Sequence, residues 1–421
     1  MATTRHHVIL LAALLSTGCG LQQLDRAPIS QQSASTRFPA AAFTAQGASK
    51  QQVVVKLKGT RVPQTLLRQG RGAPRVTSRI QPLRALVVDA APGADVSALL
   101  ASLRADDAVA YAHPVQLAMI EKEVDDPKLA SQYSLKITQT DLAWDTQMGN
   151  PGTVVAIVDS GIDMGHPDLK AKIVPESYNV LDKDNNPKDD HGHGTHCAGI
   201  AAAIANNAEG VAGVAPGVGL MSVKVLDAKG RGSDATIAEG VVYAADKGAK
   251  VISMSLGLYK RSQVLEEALE YALKKDVVLV ASAGNNNALN EPVSAPHLPS
   301  THPGVIEVAA SDDKDQKARF SNFGKTVSVA APGVNILSTL PTYSAGREKT
   351  YGTMSGTSMA APFVAGLAGL VRSQFPQMTQ AEVKAHIEKT ADDLGQPGFD
   401  EMFGHGRVNA LKAVTPAPAR R

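Results

Sequence analysis

Four residue types that together can perform acyl transfer occur in order along this sequence: the acid Asp159, the imidazole His193, the amide Asn285 and the hydroxyl Ser358. Ser358 stands in Gly356-Thr-Ser-Met-Ala-Ala-Pro362, a polar turn running into an Ala/Gly/Val-rich stretch that extends to about Gln374. A serine at the entrance of such a helix serves either as a nucleophile or simply as a cap for backbone N–H groups. Asp159 closes the apolar run Val154–Val158. An acid there can orient a histidine, bind a metal, accept a phosphate or make a turn. His193 lies in Asp189-Asp-His-Gly-His-Gly-Thr-His-Cys197, so His191, His193 and His196 invite a zinc reading. The intervening glycines break the i, i+4 helical face that a His-Glu-x-x-His site uses. A tight turn delivering one imidazole to a helix N-terminus as general base suits them better. Asn285 follows another apolar run, where its amide can donate to a developing oxyanion or serve as a turn residue. No Gly-x-Ser-x-Gly occurs, which removes the nucleophile elbow of the α/β-hydrolases.

The elements that must position these groups alternate. Short β-rich runs at 153–158, 219–225, 250–254, 277–281 and 305–309 are separated by helical spacing at 235–247, 263–275, 358–374 and 380–390. That pattern predicts an α/β fold, a doubly wound and mostly parallel sheet flanked by helices, with chemistry at the carboxyl ends of the strands. Ahead of it, strands at 53–57, 83–88 and 109–112 and a helix at 96–103 predict a smaller α+β unit.

The matching stretches Val158-Asp-Ser-Gly-Ile-Asp163, His193-Gly-Thr-His-Cys-Ala-Gly199, Ser255-Leu-Gly257, Ala283-Gly-Asn285, Gly356-Thr-Ser-Met-Ala-Ala-Pro362 and Gly404-His-Gly-Arg-Val-Asn-Ala410 occur in that order. In them the chain resembles the subtilisin-like serine proteases, the subtilases, from Asp126 to about Ala413. The resemblance implies a serine endopeptidase in which Ser358 attacks a peptide carbonyl, His193 relays the proton, Asp159 holds the imidazole, and Asn285 with the Ser358 N–H faces the oxyanion. It implies that Ser255, Leu256 and Gly257, with Ala281, Ser282, Ala283 and Gly284, wall the primary specificity pocket, whose floor falls within Ser294–Pro299. Gly230, Arg231 and Gly232 would form an edge strand that pairs with extended peptide substrates. Cys197 reads as buried apolar filler, since a serine triad leaves it no task. Calcium would be held by the Asp126 and Asp168 carboxylates, Asn207 and the carbonyls of Ala205, Glu209 and Val211, a hard oxygen set. A loop with Asn179, Asp182, Asp184 and Asn186 is either a second, weaker calcium site or a solvated acidic turn, because Lys183 and Lys188 dilute its charge. No organic cofactor is expected.

The resemblance also implies a meaning for the smaller unit: a ferredoxin-like propeptide at 50–123 that would assist folding and inhibit until self-cleavage, its end at 112–123 lying along the substrate groove, with a permanent regulatory domain as the alternative. The catalytic domain is expected at 124–414, with a tail at 415–421. Residues 1–19 combine Arg5, a short apolar run and Ser16-Thr-Gly-Cys19, an export signal similar to those of bacterial lipoproteins, in which Cys19 would be lipidated. Residues 20–49 lack periodicity and read as a flexible tether. The protein is thus expected to be exported and anchored in the cell envelope or released from it, and to act as a monomer. The formal net charge of +2, with scattered lysines and arginines and only 4% aromatic residues, argues against nucleic acid as a partner. Cys19 and Cys197 lie in contexts too different for a disulfide framework. A catalytically silent surface protein using the same fold for binding is the alternative.

Overall fold

The computed structural model describes residues 52–67, 70, 73–91, 93–115, 124–343 and 350–416. Cys19, the predicted signal and tether, and most of the predicted tail lie outside the described residues, as do 116–123 at the expected propeptide boundary. The chain divides into two units, within residues 1–117 and 118–421. Among the described residues no helix is long and apolar enough to cross a membrane.

The first unit runs β1 (Gln52–Leu57), α1 (Gln64–Leu67), β2 (Arg75–Ile80), β3 (Ala85–Asp89), α2 (Val96–Ala105), β4 (Val109–Pro114). Its four strands form an antiparallel sheet in the order β2-β3-β1-β4, the ferredoxin-like arrangement. Strict alternation in β1 buries Val53, Val55 and Leu57. They share a core with Leu86 and Val88 of β3 and with Leu100 and Leu103 on one stripe of α2. Asp95 starts α2 by accepting the Ser97 N–H at 2.8 Å. The strand expected from residue 83 begins at 85, because Gln81–Leu83 form a 3₁₀ turn that ends at Arg84 in a left-handed conformation, φ 49°.

The second unit opens with α3 (Tyr133–Ile137) and α4 (Thr140–Ala143) and continues β5 (Val154–Asp159), β6 (Tyr178–Asn179), α5 (His193–Ala202), β7 (Gly219–Lys224), α6 (Asp234–Asp246), β8 (Val251–Met254), α7 (Gln263–Lys274), β9 (Val278–Ser282), β10 (Val305–Ser311) and β11 (Val327–Pro332). It closes with β12 (Ile336–Thr339), β13 (Tyr351–Met354), α8 (Thr357–Gln374), α9 (Gln380–Thr390) and α10 (Ala410–Val414). Seven strands make one sheet in the order β11-β10-β9-β8-β5-β7-β6, every pairing in it parallel. Both faces are covered. Val155 and Ile157 of β5 join the core under α5 and α8, whereas Ala156 and Val158 point to the other face, among residues of α6 and α7. This is why the strands read as unbroken apolar runs instead of alternating ones. From β5 the chain runs to β6 and back to β7 on one side, then crosses to β8 on the other, so β5 lies at the topological switch point, where open α/β sheets gather their chemistry.

Helix α8 is the central support. It packs on β5, β8, β9, β10 and β11 and on α5, and its residues Met359–Arg372 are all buried. Pro362 sits inside it. With no N–H, this proline cannot bond the carbonyl four residues back, which releases the Ser358 carbonyl from the helix.

Candidate active site

Asp159 is the last residue of β5 and wholly buried. Its Oδ1 accepts the Ser160 N–H at 2.7 Å, and its two oxygens lie 2.8 and 3.0 Å from His193 Nδ1. A carboxylate facing Nδ1 fixes the hydrogen on that nitrogen and leaves Nε2 as the basic lone pair. His193 is the first residue of α5, its side chain 20% exposed. Burial opposes its protonation most strongly, but the Asp159 charge and hydrogen bond together with the Cys197 sulfur outweigh it and lift the imidazole pKa well above 6.5.

The loop that delivers His193 is tied to one carboxylate. Asp189 accepts from the Ser160 hydroxyl (2.9 Å), the N–H groups of His191 (3.0 Å), Gly192 (2.7 Å) and Thr195 (2.9 Å), and the Thr195 hydroxyl (2.6 Å). Gly194 lets α5 approach β5, since a Cβ there would fall 2.1 Å from the Gly161 carbonyl oxygen. The three histidines do not converge. His196 Nε2 meets the Gly352 carbonyl at 3.0 Å, with its pKa lowered by burial to about 4. The His191 ring lies 6.2 Å from that of His193, nearly edge-on.

Ser358 is the second residue of α8, where a helix leaves its N–H groups without intrahelical acceptors. Its hydroxyl donates to the Ser255 carbonyl at 3.5 Å and makes no hydrogen bond to His193 in this state. The carbonyl that Pro362 releases accepts from Ser255 Oγ at 2.8 Å and Cys197 Sγ at 3.4 Å. Cys197 is fully buried, and burial pushes its thiol pKa up despite the neighbouring imidazole, so it stays protonated and helps hold the helix. Asn285 follows β9. Its Oδ1 accepts the N–H (2.8 Å) and hydroxyl (2.9 Å) of Thr357, and the Thr357 hydroxyl accepts the Gly284 N–H at 3.1 Å. This clamp settles which way the amide faces and leaves Nδ2 as its free donor end.

A cleft of about 560 Å³ beside His193 is lined by Leu226, Gly230–Gly232, Ile237 and Ser255–Leu258. Gly230–Gly232 pairs with no strand among the described residues. Asp227 closes a turn by accepting the Gly230 N–H on its carbonyl (2.9 Å) and the Arg231 N–H on its carboxylate (2.9 Å). Ala281 and Ser282 end β9, and Ala283 and Gly284 continue into the turn.

The predicted calcium ligands lie together. Asp126 and Asp168 are 4% and 0% exposed, and neither has a basic partner among the described residues. Asp126 accepts the N–H of Asn206 at 2.9 Å and of Asn207 at 3.4 Å. Asp168 accepts Asn207 Nδ2 at 2.9 Å and the Val211 N–H at 3.0 Å. The carbonyls of Ala205, Glu209 and Val211 accept no hydrogen bond from the described residues. Asn206, Ala208 and Gly210 have φ of 60°, 58° and 20°, a strained alternation for the alanine in particular. Burial, then the charges of Asp168 and Asp125, raise the Asp126 pKa. Two buried acids beside free carbonyls fit a hard divalent cation, with one adjustment: Asn207 presents its amide nitrogen to Asp168 and must turn over to offer oxygen. The second loop is satisfied internally, Asn179 Nδ2 donating to Asp182 at 2.8 Å and Asp184 accepting the Asn186 N–H at 3.0 Å.

Asp189 and Thr357 are the positioning residues that sequence reasoning passed over. An acid just ahead of the glycine turn that opens a helix was the available signal for Asp189; Thr357 gave none beyond its place in the serine motif.

Residues 150–406 match the model of the subtilase family, and residues 39–114 match that of the fervidolysin N-terminal prodomain. The chain is similar to thermitase of Thermoactinomyces vulgaris, 45% identical over 291 residues that cover 69% of this chain and 98% of that protein. It is similar to a thermophilic serine proteinase of Bacillus sp. (strain AK1), 42% identical over 322 residues covering 76% of each. Among solved structures, a Pseudoalteromonas arctica PAMC 21717 protease chain matches with a TM-score of 0.63 at 32% identity, over 70% of this chain and 99% of that one. With this fold, this constellation and these relatives, the chain belongs to the subtilase family and is a serine endopeptidase preceded by a prodomain.

Proposed function

We propose that Ser358, His193 and Asp159 are the catalytic triad of an exported protease made as a self-processed precursor. The single observation that carries this reading is the Asp159–His193 pair at 2.8 Å, at the carboxyl end of the switch-point strand. The Ser358 hydroxyl turns from the Ser255 carbonyl toward His193 Nε2, which takes its proton as the oxygen attacks the scissile carbonyl. The Ser358 N–H and Asn285 Nδ2 bind the oxyanion. His193 returns the proton to the leaving amine, and water then hydrolyses the acyl-enzyme by the same steps in reverse roles. Labelling by an organophosphate reagent that reacts with activated serines tests the assignment: wild type should be modified and Ser358→Ala should not.

The raised His193 pKa sets the sign of the pH dependence. The reaction needs the neutral imidazole, so kcat/KM should rise with pH and reach its plateau only above the ordinary histidine value of 6.5. A pH profile whose acid limb lies below that value would contradict the Asp159–His193 coupling.

Extended peptides are the proposed substrates, lying beside Gly230–Gly232 with one side chain between Ser255–Gly257 and Ala281–Gly284. The prodomain, read as 50–123, is the intramolecular inhibitor of the domain at 124–414. Residues 1–19 would direct export and Cys19 would carry a lipid anchor, leaving a monomeric enzyme on the cell envelope or released from it.

Calcium is proposed for the loop at 205–211 with Asp126 and Asp168, where it would neutralise two buried carboxylates and tie the start of the catalytic domain to two later segments. Without it, opening of this loop exposes chain to a protein that cuts exposed chain. EGTA should therefore shorten the thermal half-life, and Asp168→Asn should reproduce most of that effect with calcium present. Four similar half-lives, wild type and variant each with calcium or EGTA, would remove the site. For the acidic loop around Asn179, Asp182, Asp184 and Asn186, the internal pairing favours the solvated turn.

A further inference from the structure

One side chain stands in the gap between the two proposed pocket walls. A Cβ on Gly257 would lie 2.3 Å from His297 Nε2, and a Cβ on Gly284, whose φ is +104°, would lie 3.1 Å from the same atom. The edge of the imidazole thus rests on both walls: at Gly257 only glycine leaves room for it, and at Gly284 the Asn322 amide, 2.6 Å from the same Cβ position, is closer still. His297 is held there from behind. Its neighbour Leu298 exchanges backbone hydrogen bonds with Leu258 at 2.7 and 2.9 Å, and the Tyr259 ring packs 4.7 Å from the imidazole.

Its partners decide which nitrogen carries hydrogen. Nδ1 lies 3.0 Å from Ser300 Oγ, and that hydroxyl lies 2.8 Å from both the His297 carbonyl and Glu307 Oε1. Glu307 Oε1 already acts as an acceptor, taking Asn290 Nδ2 at 2.6 Å. The one serine proton goes to one of these two oxygens, so the hydroxyl meets Nδ1 as an acceptor and Nδ1 bears the hydrogen. Burial keeps the ring neutral, lowering its pKa to about 4. Nε2 is then a bare lone pair that takes no hydrogen bond from the described residues. The residue is 3% exposed, and Nε2 is the ring nitrogen that faces the two glycines.

Resting on the reading of Ser255–Gly257 and Ala281–Gly284 as pocket walls, we propose that His297 is the floor of the primary pocket and selects an uncharged side chain ending in an N–H donor. The favoured residue on the acyl side of the scissile bond is glutamine or asparagine. A carboxylate of the same shape brings its own lone pairs against Nε2 and is disfavoured, and the imidazole takes the depth that a large aromatic ring needs.

The test uses mature enzyme and peptide anilides that differ only at that residue, as Gln, Glu, Met or Phe. Wild type should cleave the Gln peptide about three- to tenfold better than the Met peptide in kcat/KM, the scale of one neutral hydrogen bond, and better still than the Glu peptide. His297→Gly should bring the Gln/Met ratio to about one and raise the Phe/Met ratio roughly tenfold or more. Ser300→Ala keeps the imidazole in place but removes the Nδ1 acceptor, freeing the hydrogen to move to Nε2. Its Gln/Glu ratio should fall while Phe/Met stays at the wild-type value, a split that a purely structural role would not produce. Ratios within one preparation do not depend on the folded fraction, and His297→Asn supplies a second floor variant of smaller volume change. Equal cleavage of Gln and Met peptides by wild type, or ratios unchanged in His297→Gly, would overturn the proposal. Cleavage of none of the peptides by wild type would overturn the underlying active-site reading along with it.

Discussion

Ser358→Ala is expected to lower peptide hydrolysis by about 10⁶-fold, the scale of loss when the serine of a subtilisin triad is removed, and to leave the precursor uncut. Both outcomes have one cause. The hydroxyl is the only atom removed, and the Ser358 backbone, held through its carbonyl by Ser255 Oγ and Cys197 Sγ, keeps its partners. The variant should therefore fold, bind substrate and fail at the chemistry. If the prodomain is released by the enzyme's own site, the purified variant should retain it. Normal maturation in a host lacking other proteases would refute self-processing while leaving the hydrolysis prediction standing, so the two are read separately, by gel mobility and by kcat/KM.

Asn285→Leu should cost about 10²–10³ in kcat with little change in KM, the effect of losing one oxyanion donor in an enzyme of this family. The structure adds a control. Leucine also deprives the Thr357 N–H and hydroxyl of the Oδ1 they hold at 2.8 and 2.9 Å, and a loss of activity might be blamed on that. Asn285→Asp keeps an oxygen for Thr357 and puts a second oxygen where Nδ2 stood. If the clamp were what matters, aspartate would restore activity. If the donor matters, aspartate should be as poor as leucine or poorer, because a negative oxygen then faces the oxyanion. An effect confined to KM in either variant would reassign Asn285 to ground-state binding.

The strands that carry the site were legible because they are buried on both faces: Val154–Val158, Val278–Ala281 and Val305–Ala309 are runs of Val, Ala, Leu and Ile, interrupted only by Glu307, that few other environments demand. The illegible ones lack that signature. β2 is Arg-Val-Thr-Ser-Arg-Ile, largely exposed on the rim of its sheet; β11 runs into Pro332, which reads as a break; β12 and β13 pair only with each other. For the site, residue types and order pointed to Asp159, His193, Asn285 and Ser358, whereas contact between Asp159 and His193, 34 positions apart, is a product of the fold. Asp189 and Thr357 were passed over for the same reason, and His297 was reached only as one residue of the stretch Ser294–Pro299. Their importance lies in what they hold: an acid ahead of a glycine turn hints at a cap, but neither the number of groups Asp189 ties nor a filled gap between two glycines has a local sequence pattern.

Helix α8 covers one face of the sheet and also carries the nucleophile, and both jobs fall to a segment near the end of the chain. During synthesis the acid, base and amide emerge well before it, around strands whose shared apolar face has as yet no central helix to cover it. Because a domain folds as a unit, that machinery stays unarmed until α8 is available. The serine arrives with the helix that covers this face, ahead of α9 and α10, which fill the rest of the same core, so the chain is armed only as it becomes a compact body able to resist a protease.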